Sequence, residues 1–310
     1  MTQYALVFPG QGSQSRGMMN GYADFPVVRE TFAEASEVLK QDLWQLVAEG
    51  SDADLNATIN TQPVMLTAGV AVYRAWQSLK APAPMMMAGH SLGEYSALVA
   101  SGALKFADAL PLVRYRAECM QQAVPDGVGG IAAILGLDDD VVRAVCNEAA
   151  QNEVLEAVNY NSPGQVVIAG NRAAVERGME LAKARGAKRA LMLPMSVPSH
   201  CSLLKGAAEK LRAYLDTVPM QTPAIPVLHN ADVCSYSDAA SIKDALVRQL
   251  YSPVRWVETI QHFGKQGISH NVECAPGKVL VGLNKRIDTN QQALTLNDGA
   301  ALHAVLAALT

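Results

Sequence analysis

The chain has 310 residues, half of them hydrophobic, and a formal net charge of −4. No apolar run approaches the roughly 20 residues needed to cross a bilayer, and the acidic balance gives no general electrostatic reason to bind nucleic acid. We therefore predict a soluble globular protein that partners neither a membrane nor a nucleic acid. Its length allows one large domain or two of ordinary size.

The five cysteines are odd in number and lie far apart, without C-x-x-C spacing. This pattern argues against a disulfide framework and against a zinc site. The N-terminal segment has no basic region or cleavage site, so it predicts a buried strand instead of a signal peptide. We expect a cytoplasmic protein without a metal and, in the absence of heptads or repeats, a monomer.

Strand and helix patterns alternate through the first part of the chain, which favours an α/β fold. Residues 4–8 predict a strand, and residues 25–50 and 62–79 predict helices, with Pro63 in the first turn of the second. A glycine-rich turn that contains Gln11 lies between the strand and the first of these helices. It has neither the Gly-Lys-Ser/Thr ending of a phosphate loop nor the third glycine of a dinucleotide loop. The turn could hold an anion or simply join a strand to a helix.

The segment from residue 84 to residue 104 has the clearest chemical pattern. A short apolar run, Met85–Ala88, predicts a buried strand, and the following apolar residues recur at helical spacing. Residues 89–93, Gly-His-Ser-Leu-Gly, form the corner between them, with Ser91 at its tip. Glycines on both flanks permit a sharp turn that exposes the serine, as in a nucleophile elbow. The alternative is a tight turn with a structural role only.

The next helix, predicted over residues 107–124, has an apolar stripe with an arginine on each side. Arg114 and Arg116 lie about 80° from the centre of that stripe in opposite directions. Either side chain could cover apolar surface at a solvated flank. Periodicity does not choose between them.

Residues 126–194 follow the order β-α-β-β-α-β, which is typical of a ferredoxin-like domain. The predicted strands are 127–136, 154–159, 165–169 and 188–193, the helices are 138–151 and 171–185, and residues 161–164 form a turn. We expect this small domain to be inserted into a larger α/β-hydrolase-like domain with a parallel sheet. The large domain would comprise residues 1–125 and 195–310.

A serine hydroxyl needs a base to take its proton, so the histidines are the next candidates. His90 adjoins Ser91 but points away from the turn. His229 ends a predicted strand, where sites in α/β proteins gather. His200 lies in a small polar loop after the inserted segment, and from the residues alone it ranks only slightly above His229.

Six motifs in order resemble the malonyl-coenzyme A:acyl carrier protein transacylase family, close to its stand-alone bacterial fatty-acid type. They are residues 8–14 (Phe-Pro-Gly-Gln-Gly-Ser-Gln), Thr61-Gln62-Pro63, Gly-His-Ser-Leu-Gly-Glu around Ser91, the Arg116 helix, residues 159–165 (Asn-Tyr-Asn-Ser-Pro-Gly-Gln) and residues 197–200 (Val-Pro-Ser-His). The similarity runs nearly end to end. One departure is His229, where close relatives often carry asparagine.

The resemblance implies a role for each matching residue. Ser91 would be the nucleophile and His200 its base, and Gln11 and Leu92 would supply the two backbone N–H groups of an oxyanion hole. Arg116, not Arg114, would bind the malonyl carboxylate. A backbone carbonyl near Gln249 would orient His200. Asn159 and Asn161 would lie near the site, on the small domain that closes over the elbow.

The resemblance also implies the substrates. Malonyl-CoA would donate the acyl group and the phosphopantetheine thiol of an acyl carrier protein would receive it, with no resident cofactor, in fatty acid biosynthesis. Two alternatives stay open at this point. One is a serine thioesterase or esterase, and the other is an acyltransferase of a polyketide pathway.

Overall fold

The computed structural model describes residues 2–125, 127–194 and 197–310. It confirms a mixed α/β fold with a parallel sheet. The strands are β1 (Tyr4–Phe8), β2 (Met86–Gly89), β3 (Gly129–Leu135), β4 (Leu155–Ser162), β5 (Gln165–Asn171), β6 (Arg189–Met192), β7 (Val227–Leu228), β8 (His270–Glu273) and β9 (Gln292–Thr295). The helices are α1 (Pro26–Leu39), α2 (Leu43–Glu49), α3 (Asp52–Asn56), α4 (Thr58–Ser78), α5 (Gly93–Ala100), α6 (Phe106–Ala123), α7 (Asp139–Ala150), α8 (Arg172–Ala184), α9 (Lys205–Thr217), α10 (Ala239–Gln249), α11 (Trp256–Lys265), α12 (Val279–Ile287) and α13 (Gly299–Leu309).

The first sheet has the order β7-β2-β1-β8-β9, and all its neighbouring strands are parallel. Its central strand, β1, is buried along its whole length, and the adjacent residues Leu6 and Val7 join cores on opposite faces of the sheet. Helices therefore cover both faces, which explains why β1 is a continuous apolar run. Because the strands are parallel, their carboxyl ends meet at one edge.

The second sheet has the order β4-β5-β3-β6 and is antiparallel throughout. One face carries a core of small and branched residues that packs against α7 and α8. On the other face, Ile131, Val158 and Val167 pack with Cys201 and Leu203. This face therefore contacts the chain directly after His200.

Hydrogen bonds from β4 reach the segments around Val254 and Ser202. The Tyr160 N–H donates to Val254 O at 3.0 Å, and the Val254 N–H donates to Val158 O at 2.8 Å. The Glu156 carboxylate accepts from the N–H of Ser202 at 3.2 Å and from its hydroxyl. The second sheet is thus attached beside the loop that contains His200.

Two predicted helices have different limits in the structure. The single helix over residues 25–50 is wrong, because the chain breaks at Lys40, whose φ of 54° is left-handed, and Asp42 then caps α2 through the Gln45 N–H. No glycine or proline marks that break. Helix α4 begins at Thr58, so Pro63 lies inside it and not in its first turn.

The predicted turn over residues 161–164 is too long. Strand β4 continues to Ser162, with two irregularities of register, and leaves Pro163 and Gly164 for the turn. Asn161 therefore lies on a strand. Within the three described ranges, no helix is both long and apolar enough to span a membrane.

Candidate active site

Ser91 lies at a sharp corner between β2 and α5, with a left-handed φ of 51°. The corner depends on the glycines at its ends. A Cβ atom on Gly89 would lie 1.8 Å from the Gly93 carbonyl carbon, and one on Gly93 would lie 2.0 Å from Phe8 O. Neither position has room for a side chain, so the two glycines allow the close approach that exposes Ser91.

His200 contacts Ser91 directly. Its Nε2 lies 2.8 Å from Ser91 Oγ, and its Nδ1 lies 2.7 Å from the backbone carbonyl oxygen of Gln249. A carbonyl oxygen can only accept, so Nδ1 carries the proton and Nε2 is left to accept from the serine hydroxyl. A backbone carbonyl thereby orients the ring as a base.

The environment of His200 favours its neutral form. Burial, followed by the positive charge of Arg116, lowers the pKa of His200 to about 3. A histidine with this pKa is uncharged at neutral pH, so its Nε2 has a free lone pair directed at the Ser91 hydroxyl.

Two turns, one after β1 and one after β2, line the same cavity. Gln11 follows β1 and Leu92 follows Ser91, and both line a cavity of about 600 Å³. A Cβ atom on Gly10 would lie 2.5 Å from His90 O, so the two turns pack directly against each other. In the part of the chain that the structure describes, neither the Gln11 nor the Leu92 N–H donates a hydrogen bond. Each N–H group can therefore donate to an oxygen atom that enters the cavity.

Arg116 lines this cavity and is buried, with 1% of its surface exposed. Its guanidinium donates to Gln62 Oε1 at 2.8 Å, to Gln249 Oε1 at 2.9 Å and to Ser91 Oγ at 3.3 Å. Burial lowers the pKa of Arg116. Its partners are neutral oxygens, so a carboxylate that entered the cavity would meet a buried positive charge.

Arg114 points elsewhere. It is half-buried and donates to Leu39 O at 3.3 Å and to the Gln41 side chain. The two arginines that sequence periodicity left equivalent therefore differ in environment, and only Arg116 contacts Ser91.

Asn159 and Asn161, on β4, also line the cavity. Asn161 Oδ1 lies 2.8 Å from His90 Nε2, which holds the His90 ring away from Ser91. Among the described residues, buried Asn159 Oδ1 has no hydrogen-bond partner.

His229, the competing base, binds a different group. Its Nδ1 lies 2.7 Å from Glu94 Oε1, and its ring packs against Tyr236. It is fully buried behind the elbow. The structure thus brings His200 to Ser91 and leaves His229 in a separate contact.

The sequence profile of the family described as "Acyl transferase domain" matches residues 5–300. The chain belongs to this family. It is 54% identical over 307 residues to the malonyl CoA-acyl carrier protein transacylase of Escherichia coli (strain K12), with 99% of each chain covered. Among solved structures, it resembles an acyl-carrier-protein S-malonyltransferase from Burkholderia pseudomallei 1710b, with a TM-score of 0.97, 59% identity and coverage of 99% of this chain and 100% of the other. It also resembles a malonyl-transacylase solved in complex with a type II PKS acyl-carrier protein, with a TM-score of 0.98, 50% identity and the same coverage.

Several polar residues of this acyl transferase site were missed by the sequence reasoning. Asn230 Oδ1 accepts from the Ser91 N–H at 2.7 Å, and its Nδ2 donates to Gly89 O at 2.6 Å, so it holds both sides of the corner. Gln62 and Glu94 contact Arg116 and His229 respectively. Gln62 and Glu94 stand in two of the motifs that carry the family resemblance, but no role was assigned to them. The signal for Asn230 was its position directly after a strand.

Proposed function

We propose that this chain transfers a malonyl group from malonyl-CoA to the phosphopantetheine thiol of an acyl carrier protein, through an ester on Ser91. The observation that carries the proposal is the buried Arg116 guanidinium, 3.3 Å from the oxygen of a serine that also contacts a histidine base. This arrangement combines an acyl acceptor with a receptor for a carboxylate. The 54% identity to the Escherichia coli transacylase supports the same activity.

In the first step, His200 takes the Ser91 proton as the oxygen attacks the thioester carbonyl. The Gln11 and Leu92 N–H groups stabilise the oxyanion, each contributing about 10²- to 10³-fold in rate. The carbon–sulfur bond then breaks, and His200 returns the proton to the departing thiolate of coenzyme A. Ser91 is left as the malonyl ester.

In the second step, the thiol of the carrier arm gives its proton to His200 and attacks the Ser91 ester. Collapse of the intermediate returns the proton to Ser91 and leaves the malonyl group on the carrier. The Gln249 carbonyl keeps the His200 ring oriented in both steps. These steps use protein groups and the two substrate thiols, with no resident cofactor.

Arg116 gives the reaction its selectivity. A planar guanidinium binds a carboxylate through two parallel hydrogen bonds, and it is always charged near neutral pH. Malonyl groups carry that carboxylate and acetyl groups lack it. Asn159 and Asn161, which line the same cavity, bind the rest of the acyl chain or the pantetheine arm.

The catalytic residues belong to an α/β-hydrolase-like large domain, residues 1–125 and 195–310, and the cavity wall belongs to a ferredoxin-like insertion, residues 126–194. Separate cores on the two sheets support this division.

The free cysteines of the described chain support a reducing, cytoplasmic location.

Fatty acid biosynthesis is the first pathway that we assign. A polyketide pathway is the second, because a relative at 50% identity was solved with a type II PKS carrier. Comparing transfer rates to one carrier protein of each kind would decide between them.

Intact-mass measurement tests the reaction. The protein mixed with malonyl-CoA should gain one malonyl group, which should move to an acyl carrier protein that bears its pantetheine arm. The Ser91→Ala variant is the control and should gain no group. Rapid release of free malonate instead would indicate a serine thioesterase or esterase, and an unmodified wild-type protein would refute the proposal.

A further inference from the structure

A fully buried carboxylate lies directly behind the nucleophile. Glu94, in the first turn of α5, has no exposed surface. Its Oε1 accepts from His229 Nδ1 at 2.7 Å, and its Oε2 accepts from the Asn230 N–H and from Gln249 Nε2, both at 2.9 Å. Three donors therefore converge on a group to which the proposed reaction assigns no step.

The charge of Glu94 determines which way the Gln249 amide faces. A carboxylate can only accept hydrogen bonds and a guanidinium can only donate them. The Gln249 amide lies between Glu94 and Arg116, so its nitrogen must face the first and its oxygen the second. A flipped amide would turn its nitrogen toward the Arg116 donors and its oxygen toward the carboxylate, and both contacts would be repulsive.

The same network reaches the backbone of the nucleophile. Gln249 Nε2 also donates to Ser91 O at 2.9 Å, and Asn230, whose N–H is bound to Glu94, accepts from the Ser91 N–H. Both backbone groups of Ser91, which has a left-handed φ, are thus held by residues that Glu94 orients. The negative charge of Glu94 also raises the pKa of Arg116, against the larger effect of burial.

We propose that Glu94 is a positioning residue for acyl selection, which acts through the Gln249 amide to hold Arg116 in the geometry that receives a carboxylate. This inference rests on the proposed malonyl transfer. It adds a residue outside the substrate cavity to the group that distinguishes malonyl from acetyl. His229 is the donor that holds the other oxygen of Glu94.

The test compares malonyl with acetyl transfer in the full-length protein. Glu94→Gln keeps the size of the side chain but removes the charge, and its own amide can face Gln249 with either end. We expect the ratio of kcat/KM for malonyl-CoA to kcat/KM for acetyl-CoA to fall by about 10- to 100-fold, as for the loss of a hydrogen bond to a charged group. Acetyl transfer should change far less than malonyl transfer.

A double-mutant cycle tests whether Glu94 acts through the Gln249 amide. Gln249→Met removes the amide and keeps the backbone carbonyl that orients His200. It should lower the ratio about as much as Glu94→Gln, and adding Glu94→Gln to it should change the ratio by less than about 2-fold. Additive effects would overturn the proposal, because Glu94 would then act by another route.

Two further outcomes would also overturn it. One is an equal loss of malonyl and acetyl transfer in Glu94→Gln, which a merely structural carboxylate would give. The other is an unchanged ratio in Gln249→Met, which remains informative if Glu94→Gln fails to fold. Glu273→Gln is the matched control, since Glu273 is equally buried but accepts from the Val281 N–H. It should leave the ratio within about 2-fold.

Measuring the wild-type protein first separates a failure of the proposed function from a failure of the role proposed for Glu94. A wild type that transfers no malonyl group refutes the function itself. A wild type that prefers malonyl-CoA, with a Glu94→Gln variant that keeps the preference, refutes only the role of Glu94.

Discussion

The parallel and antiparallel sheets contribute to the candidate active site in different ways. Parallel strands direct successive loops to one edge, where the turns after β1, β2 and β7 place Gln11, Ser91 and Asn230 together. The antiparallel sheet contributes one face, which forms a wall with Asn159 and Asn161 and packs beneath the His200 loop. The parallel sheet thus supplies the nucleophile and its neighbouring turns at its strand ends, and the antiparallel sheet supplies one wall of the cavity.

His200 lies where the two regions meet. It follows residues 126–194 in the chain, and the residues directly after it pack against the second sheet. If chemistry belongs to the strand ends and the adjoining loop, changes there should remove activity. Changes in the second sheet should weaken activity without altering which acyl group is preferred.

The largest effect is expected from the base. His200→Ala should lower the rate of Ser91 acylation by about 10⁴-fold or more, as for loss of a member of a catalytic unit. Single-turnover release of coenzyme A measures this rate. His229→Ala is the matched control and should keep much more activity. An inactive His229→Ala beside an active His200→Ala would mean that the base is misassigned.

The second-largest effect is expected at Arg116, the residue proposed to bind the malonyl carboxylate. Arg116→Ala should lower malonyl transfer by about 10²- to 10⁴-fold, because a buried carboxylate without its partner costs about 3–5 kcal/mol. Acetyl transfer should fall much less. Arg114→Ala, on the same helix but outside the cavity, should change neither rate by more than a few-fold. Equal losses for both acyl groups in Arg116→Ala would contradict the carboxylate role.

The pH dependence follows from the lowered pKa of His200, to about 3. The base stays neutral as the pH falls, so kcat/KM for acylation should remain constant from pH 7 to pH 5. A histidine with an ordinary pKa near 6.5 would lose about 30-fold by pH 5. An acid limb with a midpoint near 6.5 would therefore refute the buried, neutral base.

The lowered pKa of His200 also makes the free energy of unfolding depend on pH. Between pH 6.5 and about 3 the unfolded chain binds a proton on this residue and the folded chain does not. The contribution of His200 to the free energy of unfolding therefore falls as the pH is lowered through that range. Urea unfolding at several pH values, wild type against His200→Ala, measures the difference.

The smallest effect should come from the second sheet. Glu156→Ala removes the carboxylate that binds Ser202 and should lower the free energy of unfolding by about 1–2 kcal/mol. Malonyl and acetyl transfer should fall together. Glu176→Ala, which breaks an exposed ion pair with Arg172, should cost no more than about 0.5 kcal/mol. A changed malonyl preference in Glu156→Ala would show that the wall also selects the acyl group.

Much of the fold could be predicted from local patterns. Hydrophobic periodicity and turn residues predicted β1, the Ser91 corner and the order β-α-β-β-α-β over residues 126–194. Each of these features depends on residues close together in the sequence. Local patterns failed at Lys40, where a non-glycine residue adopts a left-handed conformation and ends a helix. They failed also at the end of β4, where pairing with β5 extends the strand to Ser162.

The sequence by itself determined the corner at Ser91, since the two glycines and their spacing create that turn locally. Similarity to relatives supplied the candidate roles of His200 and Arg116, which spacing left beside His229 and Arg114. Only the tertiary structure decided which side chains meet. His200 lies 109 positions after Ser91 in the sequence, and Gln249 lies 158 positions after Ser91. Contacts over such distances arise from the packing of strand ends and loops, and the buried link from Glu94 through Gln249 to Arg116 exists only once that packing has formed.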